Sequence, residues 1–235
     1  MNKTKIEWTD FTSNPWRQDC RHGCWYCYAG KISKRFGRYK KNPVTMESKE
    51  IDDILRRKKP AKIFIGSMTD LFGDWVPSSV IKCILRTVEL SNIKHLAEMH
   101  IKNHGEMHTF QFLTKNPERY LEFDFPVNCW LGATATNQAQ WDRAISVFSK
   151  FPKTNIHFIS CEPLLSEIKI RPGDREAIDW LIIGALTGKG AAKHKPRWLW
   201  IARLISGAPC AVFLKDNLGH HSEGGKIQEY PKEGK

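Results

Sequence analysis

Seven short apolar segments, most of them running directly into polar residues, limit what this chain can become more than any other feature. They are residues 6–12, 62–66, 109–113, 129–132, 157–160, 180–183 and 211–214. Segments of about five residues, rich in aromatic and β-branched side chains, read as buried strands. Helical patterns stand between several of them. One begins at Pro77, a residue suited to a first helical turn, and carries Val80, Ile81, Ile84, Leu85 and Val88 on one face. Others lie near 138–148 and 197–205. Strands alternating with helices imply a parallel sheet covered by helices. The expected class is α/β: a parallel, partial or nearly closed β/α barrel of about six to seven strands. Functional side chains are then expected in the polar residues after each strand.

The second constraint is a cysteine loop. Residues 20–27 read Cys-Arg-His-Gly-Cys-Trp-Tyr-Cys, three thiols in the spacing C-x3-C-x2-C. The loop follows the first expected strand, which ends at Pro15. It precedes a helical pattern over 28–36, with Ala29, Ile32 and Phe36 on one face. A zinc site usually takes its four ligands from two well-separated halves, and no second half is present. Three thiolates on a four-iron cluster leave one iron without a protein ligand. A zinc knuckle completed by His22 or a distant cysteine, or three unconnected buried thiols, would use the same residues. Seven cysteines, an odd number with three clustered, fit a reducing cytoplasm better than a disulfide framework.

Charge and composition narrow the class further. The formal net charge is +12. Residues 1–62 hold 16 Lys and Arg against 7 Asp and Glu, a net of +9, so the basic excess surrounds the cysteine loop. A nucleic acid or another polyanion would account for that bias, as would a solvated lysine face. Arg35, Arg38, Lys40 and Lys41, interleaved with Phe36 and Tyr39, are the candidate contacts. No run of about 18 apolar residues is present, so no membrane span is expected. The first ten residues lack the apolar core of a signal peptide. His100, His104 and His108 are spaced four apart, but Gly105 weakens a helix there; an extended helix end and turn is the preferred reading over a metal site. Gly184 to Gly190 lacks the spacing of a phosphate-binding Walker loop. The barrel domain is expected over 1–218, with a mobile polar tail over 219–235.

With Tyr26 in the aromatic slot before the third cysteine, the loop resembles the signature of the radical S-adenosylmethionine (radical SAM) superfamily. The ordered set IEWTD…NPW, the cysteines followed by Tyr28-Ala29, SMTDLF, TFQFLTKNPERY, WLGATATN, SCEPLL and IDWLIIG resembles a phage-associated family of small radical-SAM-like proteins with no firmly established reaction. The resemblance implies a radical-SAM-type barrel and a [4Fe-4S] cluster on Cys20, Cys24 and Cys27. Its open iron would chelate SAM, and one-electron cleavage would give a 5′-deoxyadenosyl radical. It also implies an electron donor such as a flavodoxin or ferredoxin. In that reading Tyr26 packs on the adenine, and Ser67 and Asp70 accept from the SAM amine. Lys115 donates to its carboxylate or meets a substrate phosphate. Thr134 and Asn137 reach the ribose, and Glu162 accepts from an amine or hydroxyl. Asp70, Thr134 and Asn137 would serve equally as helix caps. Lys215 and Asp216 face a substrate, or form a surface ion pair. Two loops depart from the family pattern: Gly184-Ala185-Leu186-Thr187-Gly188 stands where G-G-E-S-G is usual, and Lys215-Asp216-Asn217-Leu218-Gly219 replaces the usual closing Lys-Gln-Trp-Gly. RNA or DNA is the candidate substrate. A non-catalytic, metal-stabilised nucleic-acid-binding module is the alternative.

Overall fold

The structure, a computed structural model, describes residues 1–36, 44–102, 107–188, 190–219 and 226–232. The chain forms two compact units, residues 1–130 and 131–235. The first unit contains β1 (Asn2–Lys3), β2 (Phe11–Ser13), β3 (Trp16–Arg17), α1 (Tyr28–Phe36), β4 (Thr45–Met46), α2 (Ser48–Arg56), β5 (Lys62–Ile65), α3 (Ser78–Lys102) and β6 (Thr109–Thr114). Its main strands lie in the order β1-β2-β5-β6. β2, β5 and β6 are parallel, with Phe11 beside Ile63 and Ile63 beside Phe110, and β1 joins antiparallel at the edge. β3 and β4 pair separately, Trp16 opposite Met46. The spacing of Val80, Ile81, Ile84, Leu85 and Val88 puts one stripe of α3 in the core, and all five are buried. Phe72 anchors an aromatic cluster with Phe112, Tyr120, Phe123 and Phe125, whose centroids lie 4.5–6.2 Å from its own. Where β5 ends, Gly66 has φ +86°, and a Cβ there would stand 2.7 Å from the Trp16 ring. The turn into Ser67 therefore needs glycine on both conformational and steric grounds.

Three local expectations change in this unit. The first strand does not span 6–12: residues 7–8 turn and the ladder begins at Phe11. Thr9 Oγ1 donates to the Lys62 carbonyl at 3.1 Å, and the Asp10 carboxylate accepts from Lys62 N at 2.8 Å. These polar side chains take up the backbone groups that a longer ladder would use. Helix α1 has the expected bounds, but only Ala29 is buried; Ile32 and Phe36 are exposed. His108 faces His95, with Nε2 atoms 3.0 Å apart, and is buried in the core; His104 lies outside the described residues. Helix α2 was not foreseen. Its Ile51 and Ile54 are three apart, and Ile54 is buried.

β7 (Cys129–Thr134) carries the boundary between the units. The second unit continues with α4 (Gln138–Phe148), β8 (Ile156–Cys161), β9 (Trp180–Ile183), α5 (Trp198–Gly207) and β10 (Ala211–Leu214). Its strand order is β7-β8-β9-β10, with β8, β9 and β10 parallel. Trp141, Trp180, Phe158, Phe213, Ile201 and Leu204 are buried in its core. Residues 226–232, within the segment expected as a tail, run beside β10: Leu214 N donates to Ile227 O at 2.8 Å and Glu229 N to Val212 O at 2.9 Å. Trp180 Nε1 donates to Glu229 O, and the Tyr230 ring stacks on Trp180. Residues 220–225 and 233–235 lie outside the described residues. The strands of neither unit close on themselves. Each unit is of the α/β class, with helices and a mostly parallel sheet, as expected.

Candidate metal centre and strand-end sites

The cysteine loop leaves β3 at Arg17 and enters α1 at Tyr28. Gly23, at φ +63°, turns the chain between Cys20 and Cys24. Cys27 N donates to Cys24 O at 3.0 Å, and Gly30 N donates to Cys27 Sγ at 3.3 Å. Cys27 Sγ thus satisfies a backbone amide in the first turn of α1. All three cysteines are free and line one cavity of about 750 Å³, together with Gln18, Trp25, Lys31, Lys34 and Met68. Desolvation, with the charges of Asp70 and Cys27 adding to it, pushes the Cys20 thiol up to about 11. A bound cation would reverse that shift, because it stabilises the thiolate. Cys129 and Cys161 are buried, and burial, with the charge of Glu89 adding to it at Cys129, raises their thiols well above the usual range. Burial keeps those two protonated and inert.

Asp70 holds the loop. Its Oδ2 lies 2.7 Å from His22 Nε2 and accepts from Lys115 N at 2.8 Å, while Oδ1 accepts from Phe72 N at 3.0 Å. One buried carboxylate therefore ties the cysteine loop to the ends of β5 and β6. Three of the roughly four acceptor positions of this carboxylate are taken by the protein, which gives Asp70 a positioning role beside the ligand contact expected of it. Ser67 is also engaged: Asn14 Nδ2 donates to its Oγ at 3.1 Å, and the Tyr28 hydroxyl donates to its carbonyl. Asn14 is a positioning residue missed in the sequence, and His22, read there as a possible zinc ligand, is a second. Their signal is a polar residue inside an aromatic, cysteine-rich stretch.

Lys115 is placed among the thiols. Desolvation lowers its pKa, and its electrostatic interactions with the neighbouring Cys24, Asp70, Cys20 and Cys27 oppose that shift. Its ammonium lies 5.5 Å from the Tyr26 ring centroid, a cation–π contact. Gln18 lines the same cavity. Its Nε2 donates to Trp75 O at 3.1 Å, which fixes the amide orientation, and its buried Oε1 has no hydrogen-bond partner. Such an orphan acceptor is uncommon and marks a place for a donor.

Arg35 is exposed at the end of α1; Arg38, Lys40 and Lys41 lie outside the described residues. The remaining candidates fall in the second unit. Asn137 caps α4, its Oδ1 accepting from Gln140 N at 3.0 Å, and Thr134 is buried at the end of β7. Glu162 and Lys215, after β8 and β10, form an ion pair at 2.5 Å. Asn217 holds both sides of the β9 exit: Ala185 N donates to its Oδ1 and its Nδ2 donates to Ala185 O, each at 2.9 Å. A Cβ on Gly184 would approach Glu162 and Lys215 carbons to 3.0–3.1 Å, so this glycine makes room for the pair. Asp216 pairs instead with Lys226 at 2.7 Å, on the exposed surface.

Among the described residues, no three His, Cys, Asp or Glu side chains converge to hold one metal ion. A four-iron cluster makes a different demand. Each thiolate takes its own iron, so the sulfurs stand apart around one cavity. Three free thiols on one cavity wall, beside a lysine whose charge would offset an anionic cluster, fit that demand. Among the described residues no helix is long and apolar enough to cross a membrane. One family profile, described as protein of unknown function (DUF5131), matches residues 3–233. No curated protein and no solved structure matches the chain.

Proposed function

The chain belongs to the DUF5131 family of proteins of unknown function, and from that premise we propose that it is a radical SAM enzyme built on an open sheet of the radical SAM type. The observation that carries the reading is the single cavity lined by Cys20, Cys24 and Cys27. These thiolates would hold a [4Fe-4S] cluster, with its fourth iron left for the amine and carboxylate of SAM. When bound, the cluster would supply the electron that breaks a carbon–sulfur bond of SAM, and a flavodoxin or ferredoxin would renew that electron.

The protein's own part is to hold, orient and shield. Asp70, through His22, fixes the loop that carries the thiols. Lys115 brings positive charge to their side of the cavity and would meet the SAM carboxylate. Gln18, a residue of the cavity lining whose buried Oε1 has no hydrogen-bond partner, would join Asp70 as an acceptor for the SAM amine. Tyr26 would offer its ring to the adenine.

Anaerobic reconstitution tests this reading. About four irons and four sulfides per chain are expected, and the reduced protein should release 5′-deoxyadenosine and methionine from SAM. Gln18→Ala should weaken SAM binding about tenfold, the effect of one charge-assisted hydrogen bond, and leave the iron content unchanged. A colourless protein holding zinc that iron cannot replace would instead favour a metal-stabilised binding module.

A further inference from the structure

The mouth of the cysteine cavity has an unusual composition. From residue 20 to residue 46 the sequence contains no Asp or Glu, while it contains seven Lys and Arg. Within the described part of this stretch, α1 buries only Ala29. Its solvent side carries Tyr28, Ile32 and Phe36, and the preceding loop adds Trp25; Trp25 is 55% exposed and Phe36 59%. Lys31, Lys34 and Arg35 stand exposed between these rings. Trp25, Lys31 and Lys34 line the cavity beside the three cysteines. The Arg35 guanidinium already lies over the Phe36 ring, 5.5 Å from its centroid.

An amphipathic core helix would turn such an apolar stripe inward. Here large side chains face water on the helix that follows the cysteine loop, Trp25 of that loop lines the cavity, and every charged residue of the helix is basic. Exposed aromatic faces suit unpaired bases, which stack on them without sequence preference, and interleaved Lys and Arg suit the phosphates between those bases. A duplex keeps its base faces stacked inside and offers the rings nothing. An acidic peptide would use the charges and leave the rings idle.

We propose that this surface, formed by Trp25, Lys31, Lys34, Arg35 and Phe36, binds single-stranded nucleic acid and presents one unstacked nucleotide to the cysteine cavity. The inference rests on the proposed function only in naming the substrate of that site; binding itself requires no cluster.

The test is fluorescence anisotropy with dye-labelled 20-nucleotide RNA and DNA single strands, the matching duplexes, and poly-glutamate, using the full chain with and without reconstituted cluster. Single strands should bind more tightly than duplexes. Phe36→Ala, which lies outside the cysteine loop, and Trp25→Ala should each weaken single-strand binding about five- to a hundredfold, the range for loss of one stacked base. Replacing Lys31, Lys34 and Arg35 with Ala should lower the slope of log affinity against log salt by about 2, since each phosphate contact on a single strand contributes roughly 0.7. Arg86→Ala, on the exposed face of α3, serves as the control and should leave binding unchanged. Circular dichroism confirms that each variant is folded. Equal affinity for duplex and single strand, equal affinity for poly-glutamate, or unchanged binding in folded Phe36→Ala and Trp25→Ala would each overturn the proposal. The two readings fail separately. A chain that binds single strands but forms no cluster refutes the enzyme and keeps the surface. A chain that cleaves SAM but binds no single strand refutes the surface and keeps the enzyme.

Discussion

The cysteine loop of the first unit and the strand ends of the second unit carry the same kinds of residue under opposite constraints. Glu162 and Lys215 stand directly after strands, Asn217 lies in the turn that follows β10, and the three satisfy one another. Their geometry follows from the β8-β9-β10 ladder. The three cysteines hang on an irregular connection, and the packing that holds it is the Asp70 carboxylate against His22, edge contact between the His22 and Trp75 rings, and the burial of Ala29. A site complete within itself needs no ligand to be stable. The cysteine cavity keeps three free thiols open to solvent and one buried acceptor, Gln18 Oε1, without a hydrogen-bond partner.

The largest expected effect breaks the comparison outright. Cys20→Ala, Cys24→Ala or Cys27→Ala should each abolish iron binding, because three ligands cannot fall to two without losing the cluster. Cys83→Ala, Cys129→Ala and Cys210→Ala should retain it. Iron and sulfide analysis after reconstitution distinguishes the two sets.

Acid should act strongly through the core of the first unit. Burial, with the charge of His95 adding to it, holds His108 at about 4, against 6.5 for an ordinary histidine. Between those values the unfolded chain takes up a proton that the folded chain refuses, so stability is fully present above about pH 6.5 and is lost as pH falls toward 4. The loss is on the order of 3 kcal/mol. Urea unfolding at pH 7 and pH 5 should show about 2 kcal/mol of it, and His108→Phe should flatten the difference. His157 in the second unit is also lowered, mainly by burial. His157→Phe is the matched variant for that unit.

Asp70→Ala sharpens the contrast between the loop and its frame. It removes the acceptor for His22, Phe72 N and Lys115 N together, and roughly 2–3 kcal/mol of stability should go with it. Iron retention should also fall, because the loop is released. Loss of SAM affinity alone, with melting temperature and iron content unchanged, would leave Asp70 only the role of ligand contact.

The smallest effect tests the second unit. Gly184→Ala places a methyl group against Glu162 and Lys215. Both contacts are side-chain carbons that can shift, so about 1 kcal/mol of stability should be lost. Thermal melting gives the value. A loss several times larger would mean that the pair is more rigidly held than its neighbours imply.

The sequence by itself determined most of the ladder. Six of the seven apolar segments became β5 to β10 within a residue or two, and the patterns over 28–36 and 138–148 became α1 and α4 with those bounds. Buried strands and helices leave this trace because each repeats a local period that burial enforces. The three thiols were legible for a related reason, since their spacing lies within one loop. Tertiary structure alone decided what is long-range. It spent the oxygens of Asp70 on His22 and on two backbone amides, left Gln18 Oε1 without a partner, and joined Glu162 to a lysine 53 residues away. It also turned the apolar stripe of α1 outward. A sequence pattern shows that a helix has two faces. Which face meets solvent depends on what the rest of the chain packs against it.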